Sequence, residues 1–550
     1  MTFDMDEGQP GSVDNFSPYG PNQTNGLVQA VYEPLFITNV KTGELEPWLA
    51  NSATANASFD VWTLVLKKGI KWSDGKDYTA DDVVYTFNLL TSGTGLQTSV
   101  PLAKGVTATA KDALTVEFTL PKADPQFAGN LFGTGLASKA FTVLPKHIWE
   151  AQADVATFTN FDIAKGYPVG TGPYKLTGTS PNTFSYERRD DWWGVSGGLG
   201  QLPAPKTLTW SYLGTESTRA SALQSGALDA AAQFSLGTFQ TIKAQNPGIQ
   251  AWDDKTPFGQ SDVCGYSLDI NASKAPWDDA KFRWAINDSL DRNKLINVAF
   301  QGASKPMDTP FPDLDAVQKF ASKLPAATQK LKEDLVTPDA AKAQKVFETA
   351  GYAKNQDGIY AQGGQTLKLE VSNFDSPPKN ALAAAVVEQL RQAGIDAVQA
   401  KKTVPNFIAD EQAGNFQANL FFGSCGSLTN PWLSMDAFNV SHLPADGGKI
   451  AGFYSNPFRW GTTAAANYSA LVDEMKTTPS TDAKYQELVS KALQIWYEEL
   501  PMIPLAYNYQ LNPVSTANWK GWPSAQDSYA WGLYTTPSVN KVLQHLKPAS

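Results

Sequence analysis

Cysteine is nearly absent from this chain: Cys264 and Cys425 are the two among 550 residues. They stand far apart with no metal-ligand spacing around them, which excludes zinc and cluster motifs. They either pair with each other or remain small buried apolar groups. Histidine is equally scarce, with His147, His442 and His545 in dissimilar contexts, so no histidine-based catalytic or metal constellation is expected. No stretch approaches the roughly 18 unbroken apolar residues of a membrane helix. Positive charge is in deficit, at 44 Lys+Arg against 54 Asp+Glu and a net charge of -10, which leaves no electrostatic basis for a nucleic-acid partner. Gly-x-Ser-x-Gly, a phosphate loop, His-Glu-x-x-His and a Gly-x-Gly-x-x-Gly after a strand are all missing. No repeat of 20–50 residues is visible. Met1 leads directly into a polar, acidic segment, Asp4 to Pro10, with no basic start, apolar core or cleavage site. That reading leaves an intracellular protein or a mature form from which a signal was removed.

What is present in excess is tryptophan, 16 residues, alongside 19 Tyr and 28 Phe. The length predicts about three or four domain-sized units. The pattern is mixed α/β. Trp62–Leu66 alternates as a strand, and Thr79 with Asp82 caps a helix whose apolar face is Val83, Val84, Phe87 and Leu90. Hairpins are predicted at 106–120 and 174–188, and a helix followed by a short strand at 217–234. A long amphipathic helix is predicted over 278–300 and a helix over 340–350. Strand, helix, strand over 367–398 predicts a parallel βαβ unit, and a last helix, 485–500, leads to a strand ending near Gln510.

A series of motifs runs nearly the whole length of the chain: Val31-Tyr-Glu-Pro-Leu-Phe36, Thr42-Gly-Glu-Leu-Glu-Pro-Trp-Leu-Ala50, Gly69-Ile-Lys-Trp-Ser-Asp-Gly-Lys76, Leu144-Pro-Lys-His147, Gly170-Thr-Gly-Pro-Tyr174, Ala222-Leu-Gln-Ser-Gly-Ala-Leu-Asp229 and Phe282-Arg-Trp-Ala-Ile-Asn-Asp-Ser-Leu-Asp-Arg292. In these motifs the chain resembles the family 5 solute-binding proteins that serve peptide and oligosaccharide ABC importers. The resemblance implies a bilobal periplasmic-binding-protein-like α/β fold with mixed sheets, a hinge, an extra domain and a ligand held between lobes. Its plan divides the chain into lobe I (1–45, 167–264 and 509–550), an extra domain II (46–166) and lobe III (265–508). Trp48 and Trp72 sit in the shared motifs and read as packing residues.

Two segments bear on the ligand. Gly423-Ser-Cys-Gly-Ser-Leu-Thr-Asn-Pro431 looks like the peptide-binding relatives' Gly-Trp-x-Gly-Asp-x-x-Asp-Pro, in which the first Asp pairs with the peptide ammonium. Here Ser424 replaces the Trp and Ser427 the Asp, and a buried ammonium facing only a hydroxyl costs several kcal/mol. Trp519-Lys-Gly-Trp-Pro523 looks like the tail of the cellobiose and β-oligosaccharide subgroup. A pyranose offers an apolar C–H face and a rim of hydroxyls, which suits flat rings edged by amides. Trp252, Trp432, Trp460 and Trp522 are therefore expected to stack on a sugar, and Asn22, Gln23, Asn25 and Asn271 to meet its hydroxyls. Each is otherwise a packing or turn residue.

The expectation is a non-enzymatic binding protein, monomeric, without cofactor or metal, that captures a neutral β-linked oligosaccharide. It delivers this to ABC permease subunits, from the periplasm or as a cell-surface lipoprotein. Two alternatives stay open: an oligopeptide receptor, and a secreted hydrolase, which needs two carboxylates facing one cleft.

Overall fold

The structure is a computed structural model that describes residues 1–5, 9–20, 26–96, 104–133, 141–423, 425–445, 447–452, 455–532 and 536–549. The chain forms two compact units, Met1–Gln260 with Gln510–Ser550, and Ser261–Tyr509. It leaves the first unit once and returns once.

In the first unit, Ala50–Ala55, Val61–Leu66, Thr115–Thr119 and Thr107–Asp112 make an antiparallel sheet in that order. Alternation along Val61–Leu66 turns Trp62, Leu64 and Leu66 inward, where Trp62 lies opposite Phe118. Each such buried side chain contributes about 1.5–3 kcal/mol. The helix Ala80–Thr91 starts where the sequence places it, with Thr79 and Asp82 in a capping box. Asp82 also accepts from the Lys146 amide at 2.9 Å, so one carboxylate fixes two helix starts. A second sheet orders Thr2–Asp4, Thr207–Ser211, Thr183–Arg188 and Tyr174–Ser180, its first pair parallel. The Gly170–Pro173 turn lies against the Leu27–Val31 helix so closely that a Cβ on Gly170 would sit 2.1 Å from the Val31 carbonyl oxygen, and one on Gly172 2.3 Å from that of Ala30. Only glycine fits at either position.

The second unit is built on a five-stranded sheet in the order Asp396–Lys402, Lys368–Phe374, Ala418–Phe421, Gln260–Ile270 and Ile503–Gln510. The first three strands are parallel and Gln260–Ile270 runs against them. The predicted βαβ unit is present, with the helix Pro377–Ala393 joining Lys368–Phe374 to Asp396–Lys402 and Gly394 closing it at φ 98°.

Two expected elements differ. The segment 278–300 is two helices, Ala280–Asp288 and Arg292–Phe300, because Asp291 caps the second by accepting from the Lys294 amide. Residues 230–234 form no strand of their own. Ala230 bridges singly to Phe3 and Val514, and Gln233 at φ 54° turns the chain away.

Candidate functional site

Asn22, Gln23, Asn25 and Ser424 lie outside the described residues. The other predicted ligand residues fall into two groups, one in each unit.

In the first unit, Trp252 is half-buried and lines a cavity of about 20 Å³ together with Gln260, Gln510, Asn512, Pro523 and Gly532. The Ala525 amide donates to the Trp252 carbonyl at 2.8 Å, so Trp252 and the Trp522–Pro523 tail are brought together. A ring edged by amides is the lining expected for a hydroxyl-bearing solute, yet the space holds about one water. Trp522 itself is a correction to the expected stacking role: it is buried and donates its indole N–H to the Ser515 carbonyl at 3.1 Å.

In the second unit the Gly423–Pro431 loop leaves the carboxyl end of the strand Ala418–Phe421, and Cys425 forms a disulfide with Cys264. The Gly426 amide donates to the Val263 carbonyl, and the Gly423 amide to Ser267 Oγ at 2.8 Å. Ser427 is buried and its hydroxyl holds its own loop. Its Oγ accepts from the Thr429 amide at 3.0 Å and lies 2.7 Å from the Thr429 hydroxyl, a turn in which the side chain mimics backbone. Trp432 follows at the start of a short helix, 5% exposed, with Lys476 over its ring at 5.3 Å. That ring is covered rather than open to a sugar.

Two further expectations are corrected. Asn271 is fully buried, and its side chain donates to the Gly414 and Phe416 carbonyls while accepting from Ser273. It stitches loops together and offers a ligand nothing. Trp460 has no exposure and donates to Glu499 at 3.2 Å, edge-on to Tyr468; it is core.

Three ionisable groups in the second unit escape the sequence reading. Burial pushes the Asp269 carboxyl up to about 7, while Ser267 donates to it at 2.6 Å. Burial, and next the charge of Asp269, push Glu411 up to about 8. Both acids ionise near 4 when the chain is unfolded. The folded state therefore keeps protons the unfolded state loses, and stability falls as pH rises from about 4 through 7–8. Urea unfolding of the second unit is expected to show this slope between pH 5 and 8, and Asp269→Asn to flatten it; an unchanged slope would remove Asp269 as its source. The third group is Lys379, whose ammonium burial pushes down to about 8. A position just past a parallel strand, where α/β folds gather ligands, is the one sequence signal that marks it.

Among the described residues no group of three or more His, Cys, Asp or Glu could hold a metal, and no helix is long and apolar enough to cross a membrane. Residues 44–442 match the family model described as bacterial extracellular solute-binding proteins, family 5 Middle. The chain is 26% identical to the nickel-binding periplasmic protein of Escherichia coli (strain K12), over 77% of this chain and 75% of that protein. It is also 26% identical to the glutathione-binding protein GsiB of the same strain, over 89% and 86%. Among solved structures, the periplasmic oligopeptide-binding protein of Thermotoga maritima superposes with a TM-score of 0.85 at 24% identity, covering 100% of this chain and 99% of that one. The same protein with mannohexaose bound gives 0.80 at 23% identity, covering 100% and 98%.

Proposed function

Since this chain belongs to the bacterial extracellular solute-binding proteins of family 5, the substrate-binding components of ABC importers, we propose that its solute is an oligopeptide. The observation that carries this reading is the match to the glutathione-binding protein along 89% of the chain. The fold shared with an oligopeptide-binding protein agrees with it. In this reading the protein acts as a monomer outside the cytoplasm, in the periplasm or at the cell surface as a lipoprotein, and passes its solute to permease subunits without altering it.

A second reading, a neutral β-linked oligosaccharide, is favoured by Ser427, an uncharged group where peptide-binding relatives are expected to carry a carboxylate. The Trp252 ring with its amide rim and the mannohexaose bound by the Thermotoga protein lend it weight.

Titrating intrinsic tryptophan fluorescence with tri- to pentapeptides and with cello- and manno-oligosaccharides separates the two. Saturable change with peptides and none with sugars is expected; the reverse would replace the first reading by the second. In the second case Ser427→Asp is expected to weaken sugar affinity by about tenfold or more, by burying a charge that a neutral solute cannot pair.

A further inference from the structure

Two carboxyl groups of the second unit are buried with no positive charge to meet them. Asp269, on the strand Gln260–Ile270, and Glu411, on the helix Val404–Ala413, are each 1% exposed. Asn419, paired with Asp269 in the sheet, donates its side-chain amide to Glu411 Oε2 at 3.3 Å and so joins the two. One oxygen of each acid, Asp269 Oδ2 and Glu411 Oε1, is buried without a partner. Among the described residues no lysine, arginine or histidine bears on either. Asp288, as deeply buried in the same unit, is treated differently and has Lys342 at 3.1 Å. Charges on neighbouring segments are engaged elsewhere: Asp410 holds Lys402 at 2.8 Å, and Arg459 donates to the Gly448 and Gln412 carbonyls. Lys379 lies among the rings of Phe374, Phe422 and Tyr266, and Tyr266 points away from Asp269 because side chains alternate along a strand. Acids in such surroundings stay buried by keeping their protons.

The loop that carries Ser427 begins on top of Asp269. The Gly423 amide donates to Ser267 Oγ at 2.8 Å, and the same hydroxyl donates to Asp269 at 2.6 Å, so a relay of two hydrogen bonds runs from the loop to the carboxyl. The approach is close: a Cβ on Gly423 would stand 2.3 Å from Asp269 Oδ1 and 2.6 Å from Ser267 Oγ. Two residues further on, Cys425 is bonded to Cys264. An ionised Asp269 has to draw in water, and on the loop side the backbone of Gly423 is what stands over it.

We propose that Asp269 and Glu411 form a proton-controlled latch for the solute loop: neutral, they carry the relay that holds Gly423 down, and ionised, they admit water past Gly423 and free the loop. This rests on the solute-binding reading, in taking the loop as part of the site, and holds for a peptide or a sugar alike. Both acids are positioning residues, acting through Ser267 and Gly423 rather than on the solute. Burial raises them to about 7 and about 8, whereas water entering an opened loop returns them toward roughly 4. The closed loop therefore binds protons that the open one releases. Opening gains as pH rises from about 4 and levels off above 7–8.

The test compares the full chain at about pH 5.5 and 7.5, a window that the linkage places on the rising limb. Its first readout needs no solute: the rate at which a phosphine reductant opens the Cys264–Cys425 bond, divided by the rate for a small-molecule disulfide at the same pH. The wild type is expected to show a rise of about tenfold or more across the window, with its near-ultraviolet circular dichroism unchanged. Asp269→Asn keeps an acceptor for Ser267 but cannot ionise, and is expected to stay slow at both pH values. Glu411→Gln is expected to reduce the rise, and it decides the matter should Asp269→Asn fail to fold. The second readout is retention, by ultrafiltration with mass spectrometry, of a pool of tri- to pentapeptides free of Asp, Glu and His, whose own charges barely change over this range. Wild-type retention is expected to fall several-fold toward the higher pH and that of Asp269→Asn to hold. A wild-type rate indifferent to pH, the same rise in the variants, a rise that comes with loss of the circular dichroism signal, or peptide retention indifferent to pH overturns the latch and leaves the peptide reading standing. Retention of no peptide at either pH overturns the peptide reading, and the reduction rates then decide the latch by themselves.

Discussion

Replacing Glu33 with alanine is expected to lower the unfolding free energy of the first unit by about 3–5 kcal/mol. Glu33 is buried in the Val31–Phe36 motif and accepts three indole N–H groups: Trp193 at 2.9 Å, Trp48 at 3.0 Å and Trp192 at 3.5 Å. All three rings are buried. Burial pushes the carboxyl up to about 7, and the indole donors pull the other way. Alanine removes the shared acceptor and leaves donors without water, each at a cost of about 1–3 kcal/mol. Glu33→Gln keeps one acceptor oxygen and is expected to lose less. Urea unfolding followed by tryptophan fluorescence reads both, and a loss under about 1 kcal/mol for Glu33→Ala would mean the indoles find other partners.

Substituting Cys264 and Cys425 together by serine is expected to cost the second unit about 3–5 kcal/mol. The bond closes a loop with a sequence separation of 161, and the chain-entropy relation gives on the order of 5 kcal/mol for that length at 25 °C. It also ties the Gly423–Pro431 loop to the strand Gln260–Ile270, beside the Gly426 to Val263 hydrogen bond. Reductant is expected to lower the melting temperature of the wild type and not that of the double variant. Equal melting temperatures with and without reductant would show that the crosslink contributes nothing.

Much of the fold is written in short-range signals. The Thr79–Asp82 capping box, the Gly394 stop and the strand-helix-strand run after Leu367 depend on neighbours within a few residues, and the structure repeats them. The break at Asp291 was hidden because the apolar spacing continues across it, through Leu290, Leu295 and Ile296, all buried. What a side chain meets across the fold is not local. Trp460, Trp432 and Trp522 sit in loop-like sequence and read as platforms, yet Glu499, Lys476 and Ser515 cover or engage them. The same distance effect conceals Lys379, whose rings come from the strand Gln260–Ile270 and from the residues ending two others. Composition registered the aromatics; it could not say which of them surround a charge.

The most direct measurement is native mass spectrometry of the full chain after incubation with an equimolar pool of tri- to pentapeptides and β-linked oligosaccharides. The expected result is one adduct per chain whose mass is that of an intact peptide. An adduct with the mass of a sugar, or the appearance of cleaved solute in the pool, would contradict it.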